Sequence, residues 1–328
     1  MGMCFALVAQ QLQRVWQGSI RSTGIRTLEV PGLSENCIGI TPASVSSEVD
    51  GEHEHVSLHP WQRYEEVGEL GEGVNGKVKL AKDRECKGRM VAIKRVSCSG
   101  GSKAGSDERE ISILRKLDHE NICKLLDTYE HGHHRYFIME YLEGGELFDH
   151  LLEAGKLDED TAKEIFRQVA SAVNYAHVNG IAHRDLKPEN ICFVNKSRRS
   201  VKVIDWGHGA FVSGLKRTST PKIGSVFYQA PEVQEATFGS AYTNACDLWS
   251  LGVLLYVVLS GTMTSWVGGT FWETLRAKKN EDFPMTSSAW SEISPDAKDL
   301  IKSLLKANPQ ERLSIQDVLL HPWLTTLG

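Results

Sequence analysis

The pattern of hydrophobic and polar positions divides the chain into a β-rich part followed by a helical part. Short runs rich in apolar, strand-forming residues predict strands at 64–70, 76–81, 90–96, 122–129 and 135–140, with one helical run at 107–117. After the Gly144-Gly145 break, helical spacing predicts helices at 147–154, 159–178, 243–259, 271–278, 295–305 and 315–319. Strands followed by helices indicate an α+β fold with a small β-rich lobe and a larger helical lobe. A ligand is expected in the cleft between two such lobes.

Residues 1–61 have a different character from the rest of the chain. They contain no lysine, and much of 21–60 is turn-rich and weakly periodic, which is typical of a flexible segment. We therefore predict an N-terminal extension at 1–61 and one folded domain at 62–325.

The first 28 residues contain arginines but no acidic residue, and their apolar positions recur at helical spacing. Three interpretations remain open: an organelle transit peptide, a helix that anchors the protein peripherally to a membrane, and a short helix docked on the folded domain. Acylation of Gly2 or Cys4 would support membrane contact, although Ala6 stands where the myristoylation pattern requires Ser or Thr.

Composition narrows the class of protein. The chain has 328 residues, 41% of them hydrophobic, and a formal net charge of −5, which is typical of a globular protein and argues against a nucleic-acid partner. No apolar run reaches the roughly 18 residues that a transmembrane helix needs. The seven cysteines form no Cys-x-x-Cys pair, which favours reduced thiols and a cytoplasmic location over disulfides or a metal site.

A glycine-rich segment opens the β-rich part. Gly71, Gly73 and Gly76 fit a Gly-x-Gly-x-x-Gly-x-Val pattern that ends at Val78. Glycines at this spacing let main-chain N–H groups approach phosphate oxygens. Dinucleotide-binding folds and ordinary hairpins use similar glycines, but the former would continue as a helix. Because the sequence continues as a strand, it predicts a nucleotide-binding loop.

Lys94 follows the apolar run Val91-Ala92-Ile93 within the third predicted strand, and Glu110 lies in the helical run that comes next. A Lys–Glu pair would hold the lysine head against the phosphates of a nucleotide. Most strand lysines simply face water, so the residues alone leave both interpretations open.

The most specific segment is His183-Arg184-Asp185-Leu186-Lys187-Pro188-Glu189-Asn190, which Asp205-Trp206-Gly207 follows. With these motifs in this order, the chain from about residue 62 to about residue 325 resembles the eukaryotic protein kinases. The lysine two residues after Asp185 resembles the motif of the serine/threonine class. Segments 144–148, 297–301 and 321–323 resemble the calcium/calmodulin-dependent group. Segments 222–225 and 230–233 are most similar to the calcium-dependent protein kinases of plants and protists.

The resemblance implies a role for each matched residue. Asp185 would accept the proton of the substrate hydroxyl, and Lys187 would steady the transferred phosphoryl group. Lys94, tied by Glu110, would contact the phosphates of ATP. The implied Mg²⁺ ligands are Asn190 and Asp205, and the implied ATP-binding residues are Leu70, Gly71, Gly73, Gly76, Val78, Ala92, Lys94, Glu140, Leu142, Glu146 and Cys192.

Other matched residues imply structural roles. Glu232 and Arg312 would form a buried ion pair, and Asp247 would brace the catalytic loop. A stack that forms in the active state would comprise Leu114, Leu125, His183 and Trp206. The chain departs from the family at Trp206, where phenylalanine is usual, and at Ser225, where threonine is usual.

The implied function is a serine/threonine protein kinase that transfers the γ-phosphate of ATP to protein substrates. Glu146 and Glu189 match positions that bind arginine in basophilic relatives, so we expect basic residues upstream of the target hydroxyl. The alternative is a pseudokinase scaffold that binds ATP or partners without catalysis. Every catalytic position carries the expected chemical group, which favours the enzyme.

Regulation is expected to come from outside the catalytic region. No EF-hand loop pattern occurs in the sequence, so we expect any calcium control to require another chain. Thr218, Ser219 and Thr220 are candidate phosphorylation sites, whose phosphate Arg184 would pair with.

Overall fold

A computed structural model of the chain describes residues 59–73, 76–86, 88–98, 102–212, 226–236, 243–262 and 270–326. The targeting interpretations of residues 1–28 and the candidate phosphorylation sites at 218–220 lie outside the described residues, as does Ser225. The division at residue 61 stays a prediction for the same reason.

The elements follow the order that the sequence pattern indicates. The strands are β1 (Tyr64–Gly73), β2 (Gly76–Asp83), β3 (Met90–Ser97), β4 (Leu125–His131), β5 (His134–Glu140), β6 (Ile181–Ala182), β7 (Ile191–Phe193), β8 (Val201–Val203) and β9 (Ala210–Phe211). The helices are α1 (Ser102–Lys116), α2 (Leu147–Ala154), α3 (Glu159–Val178), α4 (Pro231–Glu235), α5 (Ala245–Ser260), α6 (Phe271–Lys279), α7 (Pro295–Leu304), α8 (Ile315–Leu319) and α9 (Pro322–Thr325).

The described residues divide into two compact units. The sheet unit comprises 59–98 and 126–141, and the helical unit comprises 102–125 and 142–326, each with the gaps given above. The predicted α+β class, with a β-rich part and a helical part, is confirmed. Among the described residues, no helix combines the length and the apolar character that crossing a membrane requires.

The sheet unit is a five-stranded sheet in the order β1-β2-β3-β5-β4. Strand β3 pairs antiparallel with β2 on one side and with β5 on the other. Alternate residues of these strands point to one face, where they form an apolar core, because strand side chains alternate between faces. The core residues are Tyr64, Ala81, Val91, Ile93, Tyr136 and Ile138, with Trp61 of the short 3₁₀ turn Pro60–Gln62 packed against them.

The helical unit is built around α3 and α5. Helix α3 begins after Asp158, whose side chain accepts a hydrogen bond from the Thr161 N–H and so caps the first turn. Helix α5 is buried on nearly every side, as its almost continuous apolar sequence predicts. Two small sheets, β6 with β9 and β7 with β8, flank the segments that carry the catalytic motifs.

The predicted starts of the fourth strand and the first helix are wrong, and several short elements were not predicted. The run at 122–129 enters the sheet only at Leu125, because Ile122 instead forms an isolated parallel bridge with Val203. Helix α1 begins at Ser102 rather than at residue 107. Strands β6 to β9 and helices α4 and α9 are each five residues or shorter, which is too short to produce a recognisable period.

Candidate active site

Asp185 is the centre of a network of hydrogen bonds and charges in the helical unit. Its carboxylate oxygen Oδ2 lies 2.8 Å from Lys187 Nζ, and Asn190 Nδ2 donates to the same oxygen at 3.1 Å. Asn190 Nδ2 also donates to the main-chain oxygen of Asp185 at 2.7 Å. Burial alone would lower the pKa of Lys187, but Asp185 and Glu189 outweigh it and raise that pKa. Lys187 is therefore a permanent cation beside the aspartate.

Asp247 orients the loop that carries Asp185. This carboxylate is fully buried and accepts hydrogen bonds from the main-chain N–H groups of His183, at 2.8 Å, and Arg184, at 2.7 Å. His177 Nε2 lies 2.8 Å from the same carboxylate. Burial alone would raise the pKa of Asp247, but the His177 hydrogen bond and nearby positive charge hold it below its ordinary value. The predicted bracing role thus has a structural basis.

Asp205 stands at a turn with left-handed backbone geometry, at φ 55°, directly before a 3₁₀ turn at Trp206–His208. Its side chain accepts a hydrogen bond from the Gly207 N–H at 3.4 Å. Trp206 is fully buried, and its ring meets the His183 ring edge-on at a centroid distance of 4.6 Å. Two members of the predicted stack are therefore in contact, and Leu114 of the same unit is buried.

Helix α1 approaches this turn closely. A Cβ atom added at Gly207 would lie 3.2 Å from Glu110 Oε2, and one added at Gly209 would lie 2.9 Å from Ile113 Cδ1. Arg109 also donates to the Gly207 carbonyl oxygen at 3.5 Å. Glu110 is thus placed at the Asp205-Trp206-Gly207 turn. Its predicted pairing with Lys94 stays a prediction.

The predicted magnesium ligands are adjacent. The Ile204 N–H donates to the Asn190 carbonyl oxygen at 2.9 Å, which places Asp205 next to the Asn190 turn. Because Asn190 uses its Nδ2 atom to hold Asp185, its side-chain oxygen is the atom left to act as a ligand. One carboxylate and one amide oxygen suit Mg²⁺, which binds through few protein ligands and prefers oxygen. The residues present therefore fit this ion.

Three predicted nucleotide-binding residues share the face of the sheet opposite the apolar core. Val78 pairs with Lys94 across β2 and β3, and Ala92 lies two residues before Lys94. Lys94 is only 7% exposed, and its Nζ lies 5.5 Å from the centre of the Phe137 ring. A lysine so well buried is not one that simply faces water, which favours the phosphate-binding interpretation.

The glycine-rich segment forms the hairpin of β1 and β2. Gly71 pairs with Val78, and Gly73 pairs with Gly76. Gly76 has φ 131°, and a Cβ atom there would lie 2.0 Å from the Arg95 carbonyl oxygen, so no other residue fits. This glycine is required by its neighbouring strand whatever the hairpin binds. Residues 74 and 75 at the tip lie outside the described residues.

The remaining predicted ATP-binding residues fall on both units. Leu70 lies on β1 and Glu140 at the end of β5, while Leu142 follows β5 in the helical unit. Glu146 and Cys192 form an isolated antiparallel bridge within the helical unit. Burial raises the pKa of the Cys192 thiol well above its ordinary value, so the thiol is protonated near neutral pH.

Glu146 and Glu189 form an acidic pair beside the catalytic loop. Burial raises the pKa of Glu146 to about 7, and Asp149 adds to the shift. Burial also raises the pKa of Glu189 to about 8, although Lys187 opposes the shift. Glu189 Oε2 is buried and has no hydrogen-bond partner among the described residues. A cation from outside the chain would lower the free energy needed to ionise both carboxyl groups.

The ion pair predicted between Glu232 and Arg312 is confirmed. Two parallel hydrogen bonds join them, from Nη1 to Oε1 at 2.6 Å and from Nη2 to Oε2 at 2.7 Å. The Arg312 side chain is fully buried and lies over the Trp249 ring. A bidentate pair of this kind fixes helix α4 relative to the segment between α7 and α8.

Sequence reasoning missed one residue at the site. His208 Nδ1 lies 3.4 Å from Asp185 Oδ2, and its side chain is 33% exposed. The two atoms are close but make no hydrogen bond. Its place directly after Asp205-Trp206-Gly207 was the only signal in the sequence, and nothing in the residue type pointed to Asp185.

The loop that carries Asp185 and the adjacent turn that carries Asp205 bring together side chains of the kinds that phosphoryl transfer uses. The protein kinase domain family matches residues 64–324, and the chain belongs to this family.

Among individual proteins, the chain is 38% identical over 255 residues to calcium-dependent protein kinase 3 of Plasmodium yoelii yoelii, a match that covers 77% of this chain and 46% of that protein. It is 38% identical over 264 residues to a probable myosin light chain kinase of Dictyostelium discoideum, covering 79% and 81% of the two chains. It is 36% identical over 270 residues to calcium/calmodulin-dependent protein kinase type 1 of Caenorhabditis elegans, covering 80% and 75%. The chain thus spans about half the length of the Plasmodium relative.

Proposed function

We propose that the protein is a serine/threonine protein kinase that transfers the γ-phosphate of Mg-ATP to hydroxyl groups of protein substrates. The observation that carries this proposal is the environment of Asp185, where a lysine and an asparagine converge on one carboxylate oxygen. Membership of the protein kinase domain family supports the same function. No observation favours the scaffold alternative.

Each residue of the network has a task that its position suits. Asp185 accepts a hydrogen bond from the substrate hydroxyl and then its proton, because it is held in place as a carboxylate. Lys187 balances the negative charge that develops on the transferred group. Asn190 and Asp205 would hold Mg²⁺, which supplies further charge neutralisation when it is bound. Lys94 would contact the phosphates of ATP.

The acidic pair supports a preference for basic substrates. Glu146 and Glu189 are both costly to ionise in their buried positions, and each is adjacent to the loop that carries Asp185. An arginine or lysine two or three residues before the target hydroxyl would pair with them and restore their ionised state.

The test is phosphate transfer from Mg-ATP to an Arg-x-x-Ser peptide by the full-length protein. We expect transfer to fall by at least about a thousandfold in Asp205→Ala and in Asp185→Asn. A peptide with alanine in place of arginine should have a lower kcat/KM by roughly tenfold.

Three outcomes would contradict these proposals. Transfer that persists in both variants would show that the activity lies elsewhere. Mg-ATP binding without transfer to any peptide would favour the scaffold. Equal turnover of the two peptides would leave the kinase function intact but remove the basic preference.

A further inference from the structure

A fully buried lysine contacts the segment that precedes helix α4. Lys278 lies near the end of α6, and its side chain is 0% exposed. Lysine is almost never fully buried unless it is paired. Burial lowers the pKa of Lys278 to about 7, although Glu232 opposes the shift. Burying the amine therefore costs desolvation free energy, which its hydrogen bonds offset.

The Lys278 amine donates these hydrogen bonds to two main-chain carbonyl oxygens in the segment 226–229. Lys278 Nζ donates to the Val226 oxygen at 2.7 Å and to the Gln229 oxygen at 2.6 Å. The neighbouring helices hold the same segment, since Gln234 Nε2 of α4 also donates to the Val226 oxygen and Ser250 Oγ of α5 donates to the Tyr228 oxygen. Three helices therefore hold three of the four main-chain carbonyl groups of residues 226–229.

The segment that Lys278 holds lies beside the catalytic loop, because burial raises the pKa of the Tyr228 phenol and the nearby Glu189 and Asp185 add to that rise. A protein substrate whose hydroxyl reaches Asp185 therefore passes next to residues 226–229. The Val226 side chain remains 44% exposed although its carbonyl oxygen is bound twice. The hydrogen bonds thus set the direction of an apolar side chain at the surface. They involve no residue of the Asp185 network.

We propose that Lys278 is a positioning residue for the protein substrate. It fixes residues 226–229 in the conformation that receives the peptide, and it takes no part in binding ATP or in the transfer step. This inference rests on the proposed kinase function, because it concerns the substrate of that activity.

The test compares Lys278→Met with Lys279→Met in the full-length protein. Methionine has nearly the length of lysine but cannot donate a hydrogen bond. Lys279 is the adjacent control, because it is about half exposed and pairs with Glu235 at the surface. Each variant is assayed for KM of the peptide, KM of ATP, kcat and midpoint of thermal unfolding.

We expect Lys278→Met to raise the KM of the peptide about tenfold, while the KM of ATP stays within about twofold of that of the unchanged protein. Lys279→Met should leave both constants unchanged. Equal peptide KM values in the two variants would overturn the inference. A parallel loss of ATP binding and thermal stability would also overturn it, because it would reveal a purely structural role.

If Lys278→Met does not fold, Gln234→Met takes its place, since it removes the other donor to the Val226 oxygen. A raised peptide KM with unchanged ATP KM supports the inference, and unchanged values for both overturn it. Absence of transfer by the unchanged protein would instead contradict the proposed function, so the two failures are distinguishable.

Discussion

At the scale of single residues, a buried carboxylate holds the main chain of the catalytic loop through hydrogen bonds. That carboxylate belongs to Asp247, where two consecutive main-chain N–H groups and one imidazole meet. A carboxylate can accept several hydrogen bonds at once, whereas an amide side chain offers one oxygen and a competing donor. The shape of the loop therefore depends on the charge and on both oxygens of this residue.

We predict that Asp247→Asn lowers the free energy of unfolding by about 3 kcal/mol, because the amide cannot satisfy all three donors. Urea denaturation measures the change, and peptide phosphorylation should fall with it. Asp299→Asn is the control, because its side chain is 71% exposed and should change stability by less than about 0.5 kcal/mol. Equal stability of the two variants would show that the Asp247 network is dispensable.

We predict that the acidic pair makes the proposed preference for basic substrates dependent on pH. As pH falls from about 9 to about 6, Glu189, with a pKa raised to about 8, and Glu146, with a pKa raised to about 7, both gain protons. The negative charge that attracts arginine is thus present above these pKa values and is lost below them. We expect the ratio of kcat/KM for the arginine peptide to that for the alanine peptide to fall roughly tenfold over this range.

Using the ratio of two peptides at each pH cancels the titration of groups that both peptides share. The double variant Glu146→Gln, Glu189→Gln should give a ratio that is low and flat across the same range. A flat but high ratio in the unchanged protein would mean that other charges select the arginine.

At the scale of elements, close helix packing depends on a few positions without side chains. Helix α5 passes the end of α7 at Gly252, where an added Cβ atom would lie 2.8 Å from Leu305 Cδ2 and 2.9 Å from Leu304 Cβ. Glycine normally weakens a helix by about 1 kcal/mol relative to alanine. At this position the closer packing outweighs that preference.

We predict that Gly252→Ala lowers the free energy of unfolding by about 1 to 3 kcal/mol through overpacking. Gly105→Ala is the matched control in helix α1, since an added Cβ atom there meets nothing within 4 Å. That variant should gain up to about 1 kcal/mol from helix propensity. Thermal unfolding of both variants measures the contrast, and a gain at both positions would refute the packing argument.

At the scale of the whole molecule, residues just before the family match contribute to the packing and charge balance of the sheet unit. The family match begins at residue 64, yet Trp61 packs on the core of the sheet. Arg63 Nε and Nη2 donate to the Asp83 carboxylate at 3.0 and 2.8 Å, and the Asp83 side chain is 2% exposed. Residues before the recognised domain therefore complete the charge balance inside it.

We predict that Arg63→Met lowers the free energy of unfolding by about 2 kcal/mol, because it leaves a buried carboxylate without its cation. The exposed neighbour Arg84, which approaches Glu65 only to 3.9 Å, provides the control variant Arg84→Met with a change below about 0.5 kcal/mol. Chemical denaturation gives both values. A loss shared equally by the two variants would contradict the prediction.

Much of the fold could be predicted because apolar residues recur over several turns in long helices such as α3 and α5. The pattern predicts both helices to within two residues of their observed ends. Strands β6 to β9 and helices α4 and α9 could not be predicted, since each contains less than two turns or periods, although the equally short α8 could be, at its observed bounds. The residues near Asp185 followed from adjacent motif positions. His208 and Lys278 did not, because their importance comes from which main-chain or carboxylate oxygens tertiary packing brings to them.

The two glycines that flank His208 have a consequence for how this segment can change over generations. A side chain at Gly209 would collide with Ile113 and with the Trp206 carbonyl oxygen, and one at Gly207 would require the Glu110 side chain to shift. The other two positions are 206, where the side chain contacts His183, and 208, where it adjoins the carboxylate of Asp185. A substitution among these four residues therefore either crowds helix α1 or changes the surroundings of His183 and Asp185.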